Sequence, residues 1–71
     1  MSEFEEYRAA VERRAHRDAG FRQSLIRTLQ PGMEHLFEQL LVQVFTQLGQ
    51  AISKVGIDYV RNWLRRHGWG S

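Results

Sequence analysis

Apolar residues recur along this chain at helical intervals, and the pattern changes character at its single proline. In the first segment Phe4, Tyr7, Val11 and Ala15 fall on one narrow stripe, with Glu and Arg dense over the remaining surface. The spacing predicts a helix over residues 3–18. Ser2 and Glu5 can form a capping box at its start, and Gly20 is a natural stop. A second, short helix is predicted over residues 20–30, with Phe21, Leu25, Ile26 and Leu29 towards one side. Pro31–Gly32 interrupts it. A proline cannot sit in a helix interior but suits the first turn of the next helix.

The third helix, predicted over residues 32–48, has a different apolar pattern. At 100° per residue, Met33, Leu36, Phe37, Leu40, Leu41, Val44, Phe45 and Leu48 span roughly half the circumference. That arc is wider than one neighbour needs. The helix is therefore either central, touching two others, or it carries a face for another chain. No charged residue lies between Glu38 and Lys54. Its polar side is Gln39, Gln43, Thr46, Gln47 and Gln50, and amides and hydroxyls lose less than ions on leaving water. Gly49 predicts a break, because glycine inside a helix costs roughly 1 kcal/mol.

A fourth helix is predicted over residues 50–67. Ile57, Tyr59, Val60, Trp63 and Leu64 fill one arc, and Lys54, Asp58, Arg61, Asn62, Arg65 and Arg66 fill the opposite one. On this reading Trp63 is buried. Residues 68–71 form a frayed tail after Gly68, and Trp69 is mobile.

Length limits what these helices can do alone. Seventy-one residues make a single domain, 1–71, with a modest core. The expected fold is all-α, three or four helices in a small bundle, completed by homo-oligomerisation, with a dimer favoured. The self-association surface expected from the wide arc is Met33, Phe37, Leu40, Leu41, Val44, Phe45 and Leu48. There is no cysteine, so neither a disulfide framework nor a thiolate metal site is available. That composition fits a reducing compartment, and a cytoplasmic location is expected. The first dozen residues are acidic and lack the apolar run of a secretory signal. No stretch of about 18 apolar residues predicts a membrane-spanning helix.

Charge adds a direction. Residues 1–49 carry six Arg against seven Asp or Glu, a balance of −1. Residues 50–71 carry Lys54, Arg61, Arg65 and Arg66 against Asp58, a balance of +3. The fourth helix therefore offers a basic face of Lys54, Arg61, Asn62, Arg65 and Arg66 to an anionic partner, either nucleic acid or an acidic protein.

Catalytic chemistry has no comparable footing. His16, His35 and His67 are scattered over the predicted helices, and none pairs at the i, i+4 spacing of a helical metal site. The serines lack a nucleophile-elbow context, and there is no glycine-rich phosphate loop. Glu5 and Glu6 belong to a charged first turn that suits the helix dipole. No enzyme activity, metal or cofactor is expected.

Two segments resemble known families. The stretch QAISKVGIDYVRNWLRRHG, residues 50–68, looks like the tail of a helix-turn-helix, with a glycine turn at Gly56 followed by a helix of apolar, Arg and Trp positions. It departs from the family at two points. The interval from Gly56 to Trp63 is about two residues short, and no Ser or Thr opens the would-be recognition helix. The resemblance implies a groove-facing set of Arg61, Asn62, Arg65 and Arg66. The stretch FEEYRAAVERRAHRDAGFRQSLIRTLQP is similar in rhythm to the nitrile-hydratase-like leader peptides of some bacterial modified peptides, with Asp18, Phe21, Arg22, Leu25 and Pro31 as the matching positions. The double-glycine cleavage site and the Cys-, Ser- or Thr-rich core of such peptides are absent. No function follows from that rhythm.

The leading expectation is a non-enzymatic helical interaction module that self-associates and presents a basic C-terminal helix to a partner. A DNA-binding regulator using the same helix is the alternative. An amphipathic membrane-active protein is the second alternative.

Overall fold

The computed structural model describes residues 3–69 and contains four helices: α1 (Glu3–Arg17), α2 (Ala19–Thr28), α3 (Glu34–Gln47) and α4 (Lys54–Arg66). No strand occurs among the described residues. Helix α1 is acidic in its first turn (Glu3, Glu5, Glu6) and basic in its last (Arg14, His16, Arg17), the order the helix dipole favours. Its stripe is buried at Tyr7, Val11 and Ala15, with Phe4 packed against the same core.

Asp18, not Gly20, divides α1 from α2. Its side chain accepts from the Phe21 amide at 3.0 Å and caps α2, while Arg14 Nε lies 3.3 Å from its other oxygen. The carboxylate satisfies an amide that the first turn would otherwise leave without a partner, so α2 starts at once and Gly20 falls inside it. The Phe21 amide, and secondarily Arg14, hold the Asp18 carboxyl below its ordinary value of 3.8, against an opposing effect of burial. A carboxyl depressed on folding stabilises the native state above its unfolded pKa. That contribution is lost as pH falls through the folded value. The variant Asp18→Asn keeps an oxygen for the cap but does not titrate. Its thermal midpoint, followed by circular dichroism, is expected to drop less than the native midpoint on acidification below pH ~4. Equal slopes for the two proteins would show that the cap is not formed.

Helix α2 buries Phe21 and Leu25, followed by Leu29, whereas Ile26 is only half-buried. Thr28 takes an inward place, its hydroxyl donating to the carbonyl of Ser24 at 2.9 Å. Pro31 lies in the turn closed by the Met33 amide on the Gln30 carbonyl (3.2 Å), ahead of α3 rather than in its first turn. Helix α3 ends at Gln47, and the amide of Gln50 bonds back to the Phe45 carbonyl at 2.8 Å, so the break read at Gly49 is present. Helix α4 begins at Lys54 and not at residue 50. Ser53 caps it, accepting from the Gly56 amide at 3.2 Å. The connector is tied to α1 through Tyr7, whose hydroxyl bonds to Glu3 and lies 3.3 Å from the Ala51 carbonyl oxygen.

The expected frayed tail is ordered as far as Trp69. Gly68 has φ +88°, a conformation that costs other residues about 1–2 kcal/mol. This lets the Gly68 amide reach the Arg65 carbonyl (3.3 Å) and the Trp69 amide reach the Leu64 carbonyl (2.9 Å), closing a Schellman motif. The chain reverses, and Trp69 packs half-buried against the core with its ring 6.2 Å from that of His16. Ser2, Gly70 and Ser71 lie outside the described residues, so the predicted Ser2 cap and the last two tail positions lie there too.

One core joins the four helices, with Phe37, Phe45, Leu25, Leu29, Leu41, Leu64, Val11 and Val60 fully enclosed. Helix α1 packs on α2 and α4, and α2 packs on α3. Helices α1 and α4 meet at Phe4 with Tyr59 (5.3 Å), Tyr7 with Gly56 and Arg8 with Trp63 (4.6 Å), and His16 meets Trp69 beyond the end of α4.

Candidate interaction surfaces

The fold fully occupies the apolar side of α4. Gly56, Ile57, Val60 and Leu64 are buried, and Tyr59 and Trp63 lie on the flank towards α1. Trp63 is half-buried, not enclosed. Its ring is nevertheless covered by the Arg8 guanidinium at 4.6 Å and by the stacked His67 ring at 4.0 Å. Desolvation of the Arg8 head is offset by the indole face and by Glu12 at 3.9 Å. Its Nε is sealed in with no hydrogen-bond acceptor among the described residues.

The polar side of α4 presents Lys54, Asn62, Arg65 and Arg66 to solvent, with Arg61 half-buried. These five residues share one helix but do not play one part. Arg61 pairs with Asp58 at 2.9 Å, three residues before it. Arg65 crosses to the end of α2 and donates to the Leu29 carbonyl at 2.6 Å. That bond satisfies a terminal carbonyl of α2 with a cation, so Arg65 also fastens α4 to α2. Lys54, Asn62 and Arg66 are the exposed remainder. The helix-turn-helix resemblance places a turn at Gly56, but Gly56 lies in the first turn of α4 against Tyr7, and residues 50–53 precede the helix.

Helix α3 divides the residues expected to mediate self-association. Phe37, Leu41, Val44 and Phe45 are buried within the protomer, because α2 covers one flank of the arc and Tyr7 of α1 meets Phe45 at its end (5.3 Å, edge to face). These four are unavailable to a second folded copy. Met33 (38 % exposed) and Leu48 (52 %) remain outside, and Leu40 is half-buried. Leu36 and Val42 are also exposed. The uncharged polar side, Gln39, Gln43, Thr46, Gln47 and Gln50, lies in solvent, with Gln47 accepting from Arg14 at 3.4 Å. A shallow hollow between α2 and α3 is lined by Met33, Leu36 and Leu40, with Arg27 and two glutamines beside them.

The histidines are not brought together. His16 meets Trp69, His67 stacks on Trp63 and His35 is exposed on α3. Among the described residues no group of three or more His, Cys, Asp or Glu side chains could hold a metal ion. No helix among them is long and apolar enough to cross a membrane.

Comparison with protein-family models, curated proteins and solved structures finds no match to this chain. What is shown is a small all-α bundle of four helices, and the surfaces above are the basis for any reading of function.

Proposed function

We propose that this chain is a non-enzymatic interaction module that self-associates and binds the phosphate backbone of nucleic acid through the polar side of α4. One observation carries the reading. The apolar side of α4 is locked into the core while Lys54, Asn62, Arg65 and Arg66 stand in solvent, so cations are held outward on a rigid support. The same observation weighs against the membrane reading. Ile57, Val60 and Leu64 would have to leave the core before the helix could lie in lipid.

The mode of binding is backbone contact. Arg61 and Arg65 already have partners within the chain, which leaves Asn62 and Arg66 as the side chains with the freest reach towards base edges. Two or three side chains per copy can position a module on a duplex but discriminate little between sequences. In a dimer, four to six phosphate contacts would give a slope of log affinity against log salt of about −4 to −5.

The test is a titration of a labelled duplex at low salt with native protein and with Lys54→Ala/Arg66→Ala. Both positions are exposed, so the fold is undisturbed. The expected result is salt-sensitive binding by the native protein, with a slope reduced by about 2 per chain in the variant. Coincident binding curves would take the contact away from this face of α4, and no binding by either protein would reject nucleic acid as the partner. Binding to an acidic polypeptide but not to the duplex would transfer the same face to a protein partner.

A further inference from the structure

A trough of about 540 Å³ runs beside α1, walled by Glu6, Ala9, Ala10 and Arg13 on the helix and by Leu48 and Gln50 beyond the end of α3. A smaller hollow continues it past Arg13 to Arg17, sharing Ala10 and Leu48. Leu48, which lines both together with Ala10 and Arg13, is 52 % exposed. Glu6, Arg13 and Arg17 are also exposed, and Ala9 and Ala10 are half-buried. At 100° per residue, Glu6, Ala10, Arg13 and Arg17 fall on one stripe of α1, with Ala9 at its edge. An acidic residue lies at one end of this stripe, small residues occupy its middle, and basic residues its other end.

We infer that the trough receives the α1 helix of a second copy of this chain, laid antiparallel across a two-fold axis between Ala9 and Ala10. The inference rests on the self-association proposed above and assigns it a seam. A two-fold axis at that point sets position i of one copy opposite position 19 − i of the other. Glu6 then faces Arg13 of the second copy, Arg13 faces its Glu6, and Ala9 faces its Ala10. The two charge pairs are made by one operation, and neither end meets its like. The small residues at the axis let the backbones approach closely. Leu48 of each copy then covers apolar surface beside the crossing that it cannot cover in its own chain. A parallel arrangement would set Glu6 against Glu6 and Arg13 against Arg13, so the charge order selects the direction as well as the partner. This seam uses only Leu48 of the residues first expected from the arc of α3.

Sedimentation equilibrium at low salt on native protein, Glu6→Arg, Arg13→Glu and the double swap tests the seam, with circular dichroism to verify folding. Both single reversals are expected to weaken dimerisation at least about ten-fold, and the double swap is expected to restore it, because the pairs re-form with their signs exchanged. General charge repulsion gives a different pattern. From a formal net charge of +2, Glu6→Arg moves each chain to +4 and Arg13→Glu moves it to 0, so repulsion alone would weaken the first and strengthen the second. A native dimer indifferent to the single reversals, or not restored by the double swap, overturns the α1 seam and leaves self-association to another surface, such as the hollow between α2 and α3. A folded native monomer at high micromolar concentration overturns both.

Discussion

Phe45→Ala is expected to leave most of the protein unfolded in plain buffer. Phe45 is fully buried at the end of α3, and its ring meets the edge of Tyr7 from α1 at 5.3 Å. It is therefore a point at which the helix pairs α1–α4 and α2–α3 are held to one core. Truncating a buried phenylalanine costs about 3–5 kcal/mol, the transfer of the lost ring plus the cavity left behind. A core in a chain of this size rarely supplies more than about 3–5 kcal/mol in total, so the two quantities are of the same size. Collapse around the gap is limited, because Tyr7 is tied at its hydroxyl and Phe37 and Leu41 are already enclosed. Circular dichroism with a denaturant titration gives the measurement. The expected variant shows little helical signal and no cooperative transition. Val42→Ala on the same helix is the control, expected to shift stability by no more than about 0.5 kcal/mol because that side chain is exposed. If Phe45→Ala unfolds with a midpoint near that of the native protein, Phe45 does not join the two halves.

The Phe45 contact also shows how far the sequence could be read. The stripe of Phe4, Tyr7, Val11 and Ala15 was legible because one helix face met one core, and three of those residues are buried with the fourth packed beside them. The wide arc of α3 was legible as an arc but not as an interface or a core. Periodicity gives the width of an apolar face and not the number of neighbours that cover it. Two neighbours from the same chain cover Phe37, Leu41, Val44 and Phe45, which leaves Met33, Leu40 and Leu48 as the part of the expected surface that a partner could reach. Element ends were missed where a side-chain cap outweighs propensity. Asp18 and Ser53 each sit three residues before the amide they satisfy, and that spacing was visible in the sequence. The docking of Trp69 was missed because Gly68 was read as a stop, whereas a glycine at positive φ is also a turn that sends the next residue back to the helix. The basic face of α4 was legible residue by residue. The bond from Arg65 to Leu29 was not, because it spans 36 positions and depends on where α2 ends. The trough beside α1 lay outside sequence reasoning for a similar reason, since Leu48 reaches Ala10 and Arg13 only through the path of α3.

Gly56→Ala is expected to destabilise the protein, although alanine is the better helix former by about 1 kcal/mol. Gly56 is buried in the first turn of α4, and a Cβ built there would lie 2.9 Å from both Cδ2 and Cε2 of Tyr7 and 3.2 Å from Cγ1 of Ile52. Real Cβ atoms essentially never come within 3.0 Å of another group, so either the ring or the helix has to move. The ring is poorly placed to move. It is 8 % exposed, stands edge-on to Phe45, and is held through its hydroxyl by Glu3 with the Ala51 carbonyl alongside. Tilting it away from α4 drives it towards Phe45, and shifting α4 outward opens the core at Ile57 and Val60. Forcing a methyl group into a packed site of this kind costs about 1–3 kcal/mol, so the clash outweighs the propensity gain at most values in that range. The expected net loss is up to about 2 kcal/mol, read as a fall in the thermal midpoint of about 4–8 °C for each kcal/mol. A double-mutant cycle separates the two contributions. With Tyr7→Ala the obstructing ring is gone, and Gly56→Ala should then stabilise that weakened background by up to the propensity difference, reversing its sign. A higher midpoint for Gly56→Ala in the otherwise native chain would mean that α4 and Tyr7 do not press together as described. An effect of the same size in both backgrounds would mean that the methyl group does not act through the ring.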